Sequence, residues 1–517
     1  MKELSRTKNS ILNIFTGFVG QILSIVINFI CRTVFIKTLG VEYLGIYGLF
    51  ADILSMLSLA ELGFDTAISF RLYKPIAEKN TSKVRAYLYF FRKAYLIVGG
   101  IIFGAGLCII PFLHVFIADY DSLANLGINA GLVFVLFLTQ NVSTYLFFAY
   151  RSIILKVDQK KYVLDTVSFF VSILSGLSKI AVLFITRDFI IYILCATSFL
   201  IIQNLVNAII ATKAYPEYFK KNFDRIRKCE KIDLFKDCGA LLAYKVNGVV
   251  MKATDNIVLS AFIGLAIVGK YSNYLLIYSA IHGILHSVYL SVKDSMGNLF
   301  VTDDIEKKYF FFEVMNFLSM VLYGTAGIGI AFVSNDFIKL WIGTESLIPQ
   351  PLPILIGIEM LLTGLKENLA QIRHVSGTFK QMWFRPVIGS AINVTASIIL
   401  VQYWGISGVI LGTILAAIFA NLLVDPSVIH KYSFSGFRSV WYYYRKNLVF
   451  ISVITIVGMA DFFFCRLISF ESPVLSFISH LSICILTVPI IFLMFFWSRH
   501  ECVYLKGKVY GLLKKRL

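Results

Sequence analysis

The chain has 517 residues, of which 58% are apolar and 15% charged, and its mean hydropathy is +0.78. That balance lies outside the range of soluble domains, and apolar runs of about 20 residues, the length that spans a bilayer, recur throughout and leave no room for a soluble catalytic domain. The formal net charge of +18 invites a nucleic-acid reading, but the placement of the charges argues against it.

In chain order, candidate membrane helices fall at 11–31, 43–62, 94–116, 126–149, 162–185, 189–212, 239–264, 271–292, 310–334, 350–370, 384–403, 406–424, 447–466 and 473–497. The first follows Lys2, Arg6 and Lys8 like a signal peptide, yet its apolar stretch is too long and lacks a small-residue cleavage site, so it is expected to be retained. Lysine and arginine crowd the N-terminus, the loops 63–93, 150–161, 366–385 and 431–446, the linker 213–236 and the tail from Lys506 to Arg516. The alternate loops hold only Lys37, Arg187, Lys270, Lys339 and Arg466. Such alternation is the positive-inside pattern of about fourteen spans with both termini in the cytoplasm. The basic surplus then serves topology and contact with anionic lipids, and no nucleic-acid partner is expected. The eight cysteines are scattered without a C-x-x-C pair, so neither a disulfide framework nor a thiolate metal site is indicated.

The chain also repeats itself. A slide of 224 residues sets Leu39-Gly40 on Ile263-Gly264, Gly45 on Gly269 and Tyr47 on Tyr271, and a slide of 222 sets Arg151 on Arg373, Gln159 on Gln381 and Ser168 on Ser390. The expected fold is an all-α polytopic membrane protein of about 14 helices, two parallel six-helix lobes plus two extra C-terminal helices. Its expected divisions are 1–213 for the first lobe, 214–237 for a basic cytoplasmic linker, 238–430 for the second lobe, and 431–517 for the last two spans with the tail.

Leu39 to Tyr47, with its Leu-Gly-x4-Gly-x-Tyr pattern, resembles the polysaccharide-transporter family. So do Ser58 to Gly63 followed by Leu72-Tyr73-Lys74-Pro75, and Thr254 to Leu259 followed by Gly269-x-Tyr271-Ser272-Asn273-Tyr274. These are the Wzx-type flippases of the multidrug/oligosaccharidyl-lipid/polysaccharide exporter superfamily, and the likeness runs over nearly the whole chain in length, topology and repeat. It implies a non-enzymatic flippase of a bacterial cell membrane that moves an undecaprenyl-diphosphate-linked sugar unit from the inner to the outer leaflet. Polysaccharide assembly machinery is an implied partner. Related lipid II flippases carry cavity arginines on their first helix, usually followed by an acidic residue. Arg32 holds that place here, but Thr33 follows it.

Charges at mid-depth are the candidate working parts, since a charge in hydrocarbon survives only against protein or a watery cavity. A diphosphate glycan needs a cationic, hydrated path, and Lys245, Lys252 and Asn256 lie on one helical stripe, with Arg32 at the repeat position of Asn256. These four are the candidate substrate-binding residues. Lys252 has a structural reading too, as an ion pair with Asp255 or Asp52, and Lys245 could snorkel to the interface. Lys179 and Arg92 are close enough to span ends for the same. Asp52, Asp255 and Glu61 are the candidate ion-coupling carboxylates, with Glu313, Glu359 and Glu367 nearer helix ends. No cofactor is expected, a proton or sodium gradient being the candidate energy source.

His282 and His286 share a helix face, but no third ligand accompanies them, so no metal site is expected. Trp441 to Lys446 reads as an interfacial aromatic belt with a basic anchor. The P-loop pattern is absent, which argues against ATP hydrolysis. Three functions remain open: a lipid-linked oligosaccharide flippase, with capsule, O-antigen-like or teichoic-acid precursors as cargo; a multidrug or organic-cation antiporter of the same superfamily; and a membrane glycosyltransferase or polymerase. Midplane lysines favour an anionic cargo, and short external loops disfavour the third.

Overall fold

The computed structural model describes residues 6–514 apart from 59–63, 122, 124–126, 147, 221–225, 228, 229, 231–233, 235–247, 251, 252, 303, 379, 383 and 469. Among the described residues all regular structure is helical. Each predicted span coincides with a helix, although of the seventh only 248–250 and 253–262 are described. The chain divides into two compact units, Met1–Gly269 and Lys270–Leu517.

The first unit contains α1 (Arg6–Thr38), α2 (Val41–Leu57), α3 (Phe64–Ala77), α4 (Thr81–Ile109), α5 (Ala130–Leu146), α6 (Ile153–Val157), α7 (Lys161–Thr186), α8 (Phe189–Ala214) and α9 (253–262). Helix α7 has inverted polarity. Phe170, Leu174, Leu177 and Phe184 face outward, whereas Ser172, Ser175 and Lys179 face a cavity. In water that outward face would be an aggregation surface; in lipid it is solvated, and the polar stripe is what needs a protein interior. Two residues join α7 to α8: Arg187 adopts a left-handed conformation that ends α7, and the Asp188 carboxylate accepts from the amides of Ile190 and Ile191 to start α8. So short a connection makes the two helices antiparallel neighbours.

Helix α9 belongs to this first unit. The turn of chain just past it, Leu265 to Gly269, packs on α2 through two glycines of the repeated pattern, for a Cβ on Gly45 would lie 2.1 Å from the Leu265 carbonyl oxygen, and one on Gly269 would lie 2.2 Å from that of Val41. Backbones that approach this closely exclude any side chain. The division between the two compact units follows residue 269.

The second unit contains α10 (Leu265–Thr302, from Lys270 onward), α11 (Ile305–Ile342), α12 (Leu352–Ser376), α13 (Arg385–Ala416), α14 (Asp425–Tyr432), α15 (Val440–Leu467), α16 (Pro473–Phe495) and α17 (His500–Lys514). Helix α11 lies at its centre, touching α12, α15, α16 and α17. Gly327 and Gly357 let α11 and α12 meet backbone to backbone. The helical stretch Arg385–Tyr432 holds 48 residues, roughly 72 Å if straight, more than twice a bilayer core. Instead the chain reverses at Gly405, whose φ of 53° is left-handed, and Gly408 packs against the Leu400 carbonyl. Two spans result, as the sequence anticipates. Short helices occupy the basic loops. Two arginines counted there as surface topology signals are buried: Arg373 donates to Asp425 at 2.6 Å and Arg385 at 3.2 Å.

Candidate functional site

A polar cavity of about 300 Å³ lies within the first unit. Three helices each lend it one stripe: Ser24, Ile27 and Asn28 from α1, Val171, Ser172, Ser175 and Lys179 from α7, and Ala196, Phe199, Leu200 and Gln203 from α8, with Tyr47 of α2 and Gln140 of α5 completing the wall. The three- and four-residue spacings are those of one helix face. Gly176 lets α1 and α7 touch at the level of Ile27, where a Cβ would lie 2.5 Å from the Ile27 methyl. Gln203 donates to the Ser168 hydroxyl at 2.8 Å, tying α8 to α7.

Among the described residues that line it, the cavity carries one cation and no carboxylate. Lys179 sits about two turns from the end of α7. Its Nζ is 5.8 Å from the centroid of the Tyr192 ring, and it forms no ion pair with any described carboxylate. The sequence suggests snorkelling for this lysine; the structure turns it inward because it shares the stripe of Ser172 and Ser175. Arg32 continues the α1 stripe one turn beyond Asn28, in electrostatic range of Tyr47 and Tyr192.

The other residues singled out from sequence distribute as follows. Asn256 is buried and donates its amide to Asp52 at 2.5 Å, joining α9 to α2. Asp255 is buried beside it. Lys245, Lys252 and Glu61 lie outside the described residues.

The second unit holds a different polar cluster. His286 lies 3.1 Å from a Glu367 oxygen, His282 lies 3.3 Å from the Tyr323 hydroxyl, and Tyr278 lies 2.8 Å from Thr363. This brings α10, α11 and α12 together through side chains that the sequence separates by 41 to 85 residues. Among the described residues no three potential metal ligands converge. A separate apolar groove of about 380 Å³ runs between α11, α12 and α15, floored by Gly324, Gly327, Gly357 and Gly458 and walled by Ile454 and Phe462.

With this architecture in view, solved structures give the match. Lipid II flippase MurJ, in an inward closed conformation, superposes with a TM-score of 0.62 at 17% identity, covering 94% of this chain and 99% of that one. A multidrug resistance MATE family transporter of the MOP superfamily, inward-facing, gives 0.58 at 14% identity over 81% and 98%. The fold is that of the MOP-superfamily transporters. An all-α, multi-pass membrane architecture of about fourteen helices is thereby established. A third MOP-superfamily transporter, from Pyrococcus furiosus, gives 0.52 at 13% identity over 82% and 96%, and is described as having a binding pocket of reverse polarity that suggests a different function. No family model and no curated protein matches the sequence.

Sequence reasoning missed Gln140, Gln203 and the serines of α7. Ser172, Ser175 and Lys179 at helical spacing in an otherwise apolar span were the available signal.

Proposed function

We propose that this MOP-type chain is a flippase that moves an undecaprenyl-diphosphate-linked oligosaccharide repeat unit, of capsule, O-antigen-like or teichoic-acid type, across a bacterial cell membrane by alternating access. Both termini are cytoplasmic in this reading, and transport runs from the inner to the outer leaflet. The observation that carries it is the first-unit cavity, whose wall offers, among the described residues, one lysine, several amides and hydroxyls, and no carboxylate. Such a wall suits an anion that also bears many hydroxyls, and disfavours an organic cation.

In this proposal Arg32 and Asn256, with Lys245 and Lys252, belong to the substrate path. Asp52, Asp255 and Glu61 are its candidate coupling carboxylates, driven by a proton or sodium gradient. Polysaccharide assembly enzymes would supply and consume the cargo.

Glu367 favours a second reading, the multidrug antiporter, because a carboxylate beside a histidine suits cation exchange. Reconstitution separates the two. Proteoliposomes should translocate an undecaprenyl-diphosphate oligosaccharide and leave an organic cation untransported; cation uptake without lipid flipping would overturn the flippase.

A further inference from the structure

A second cavity, of about 870 Å³, opens where the first turns of α11 and α15 meet α17 in the second unit. Its depth is interfacial: α15 enters a span there with Trp441 exposed on its surface, and α16 leaves one at Phe495 just before α17 begins.

The charges in its wall divide into satisfied and open groups. Glu313 and Glu501 are both held by Lys446, the first at 2.6 Å. Arg438 and Arg499 form no ion pair with any described carboxylate. They lie against aromatic rings, Arg438 with its guanidinium 4.9 Å from the Tyr442 centroid and Arg499 at 5.4 Å from Phe496. Asp304 and Glu306 likewise have no ion-pair partner among the described residues. Lys307 and His500 also line the wall, and Arg499 acts electrostatically on Glu501, so the cavity presents, at membrane-surface depth, two ring-stacked guanidinium groups and two carboxylates beside Lys307 that form no ion pair among the described residues.

A guanidinium stacked on a ring keeps its N–H edge free for a phosphate, which it binds in two-point fashion. The acidic pair at α11 suits an ammonium. We infer that this cavity binds the zwitterionic headgroup of a membrane phospholipid, its phosphate on Arg438 and Arg499 and its ammonium on Asp304 and Glu306. A purely anionic headgroup would bring no ammonium to Asp304 and Glu306, and a soluble phosphate would leave them unused.

The test uses the detergent-purified full chain and native mass spectrometry with dihexanoyl phosphatidylethanolamine as probe. Binding should weaken about tenfold or more in Arg438→Gln/Arg499→Gln, as expected when a charge-assisted contact is lost. It should weaken similarly in Asp304→Asn/Glu306→Gln, and survive in part in Arg438→Lys/Arg499→Lys. Size-exclusion profiles and thermal midpoints matching the parent chain establish that the variants are folded, and the single variant Arg438→Gln, at an exposed position, gives the same reading if the double variant aggregates. Undiminished binding in the glutamine variants overturns the site. Equal or stronger binding of dihexanoyl phosphatidylglycerol overturns the zwitterion, and equally strong competition by inorganic phosphate or glycerophosphoethanolamine assigns the cavity to a soluble ligand and overturns the lipid.

Discussion

Asn256 donates its side-chain amide to Asp52 at 2.5 Å, pairing residues 204 positions apart within one unit. Asn256 is buried, so the bond joins α9 to α2 away from bulk solvent. Asn256→Leu should therefore cost ~1–3 kcal/mol, the usual penalty for removing a partner of a buried polar group. Asn256→Asp should be worse near neutral pH, because two carboxylates then face each other, and should recover on acidification as one of them takes a proton. Thermal midpoints in detergent against pH measure both; identical curves for parent and variants would deny the bond a structural role.

The glycines of the repeated pattern make a packing prediction. Gly45→Ala would set a methyl on the Leu265 carbonyl, and Gly269→Ala one on that of Val41. Each should destabilise the first unit by ~1–3 kcal/mol through overpacking. Gly100→Ala is the control, with nothing within 4 Å of the added carbon, and should be neutral or slightly stabilising because alanine is the better helix former. Detergent melting curves of the three variants decide it.

Lys179 gives the sharpest test of the cavity. Lys179→Met keeps the length and removes the charge, so flipping rates in proteoliposomes should fall about tenfold or more, while expression stays near that of the parent. Lys179→Arg should retain part of the activity, since the charge remains but its geometry changes. Full activity in Lys179→Met would remove the cation from the mechanism.

The docking of α17 should depend on pH. Burial alone would raise the Glu501 pKa, but the hydrogen bond and charge of Lys446 outweigh it and hold the carboxyl below its ordinary value of 4.5. A group depressed in the folded state contributes stability that is complete above its unfolded pKa and lost as pH falls through the folded one. Hydrogen exchange in α17 should thus stay slow down to about pH 4.5 and accelerate below it. Glu501→Gln should exchange faster at neutral pH and lose that dependence. A pH-independent profile in the parent chain would show that Lys446 does not secure this helix.

What the sequence by itself determined is the set of elements and their environment. Apolar length located the spans, including the division of 384–424 into two, because hydrocarbon thickness is a local constraint; that Gly45 and its repeat mate Gly269 are sites of backbone contact came from the structure. Only tertiary structure decided which face of each helix is interior. In spans that are apolar almost all round, polarity barely distinguishes the faces, so Lys179 could be assigned to a snorkelling role when it lines a cavity. Tertiary packing also chose the partners: Arg373 and Arg385 converge on Asp425, and Lys446 bridges Glu313 and Glu501. The reason is that a buried charge is stabilised by whichever opposite group the fold brings within reach, and these partners stand 40 to 133 residues away in the chain.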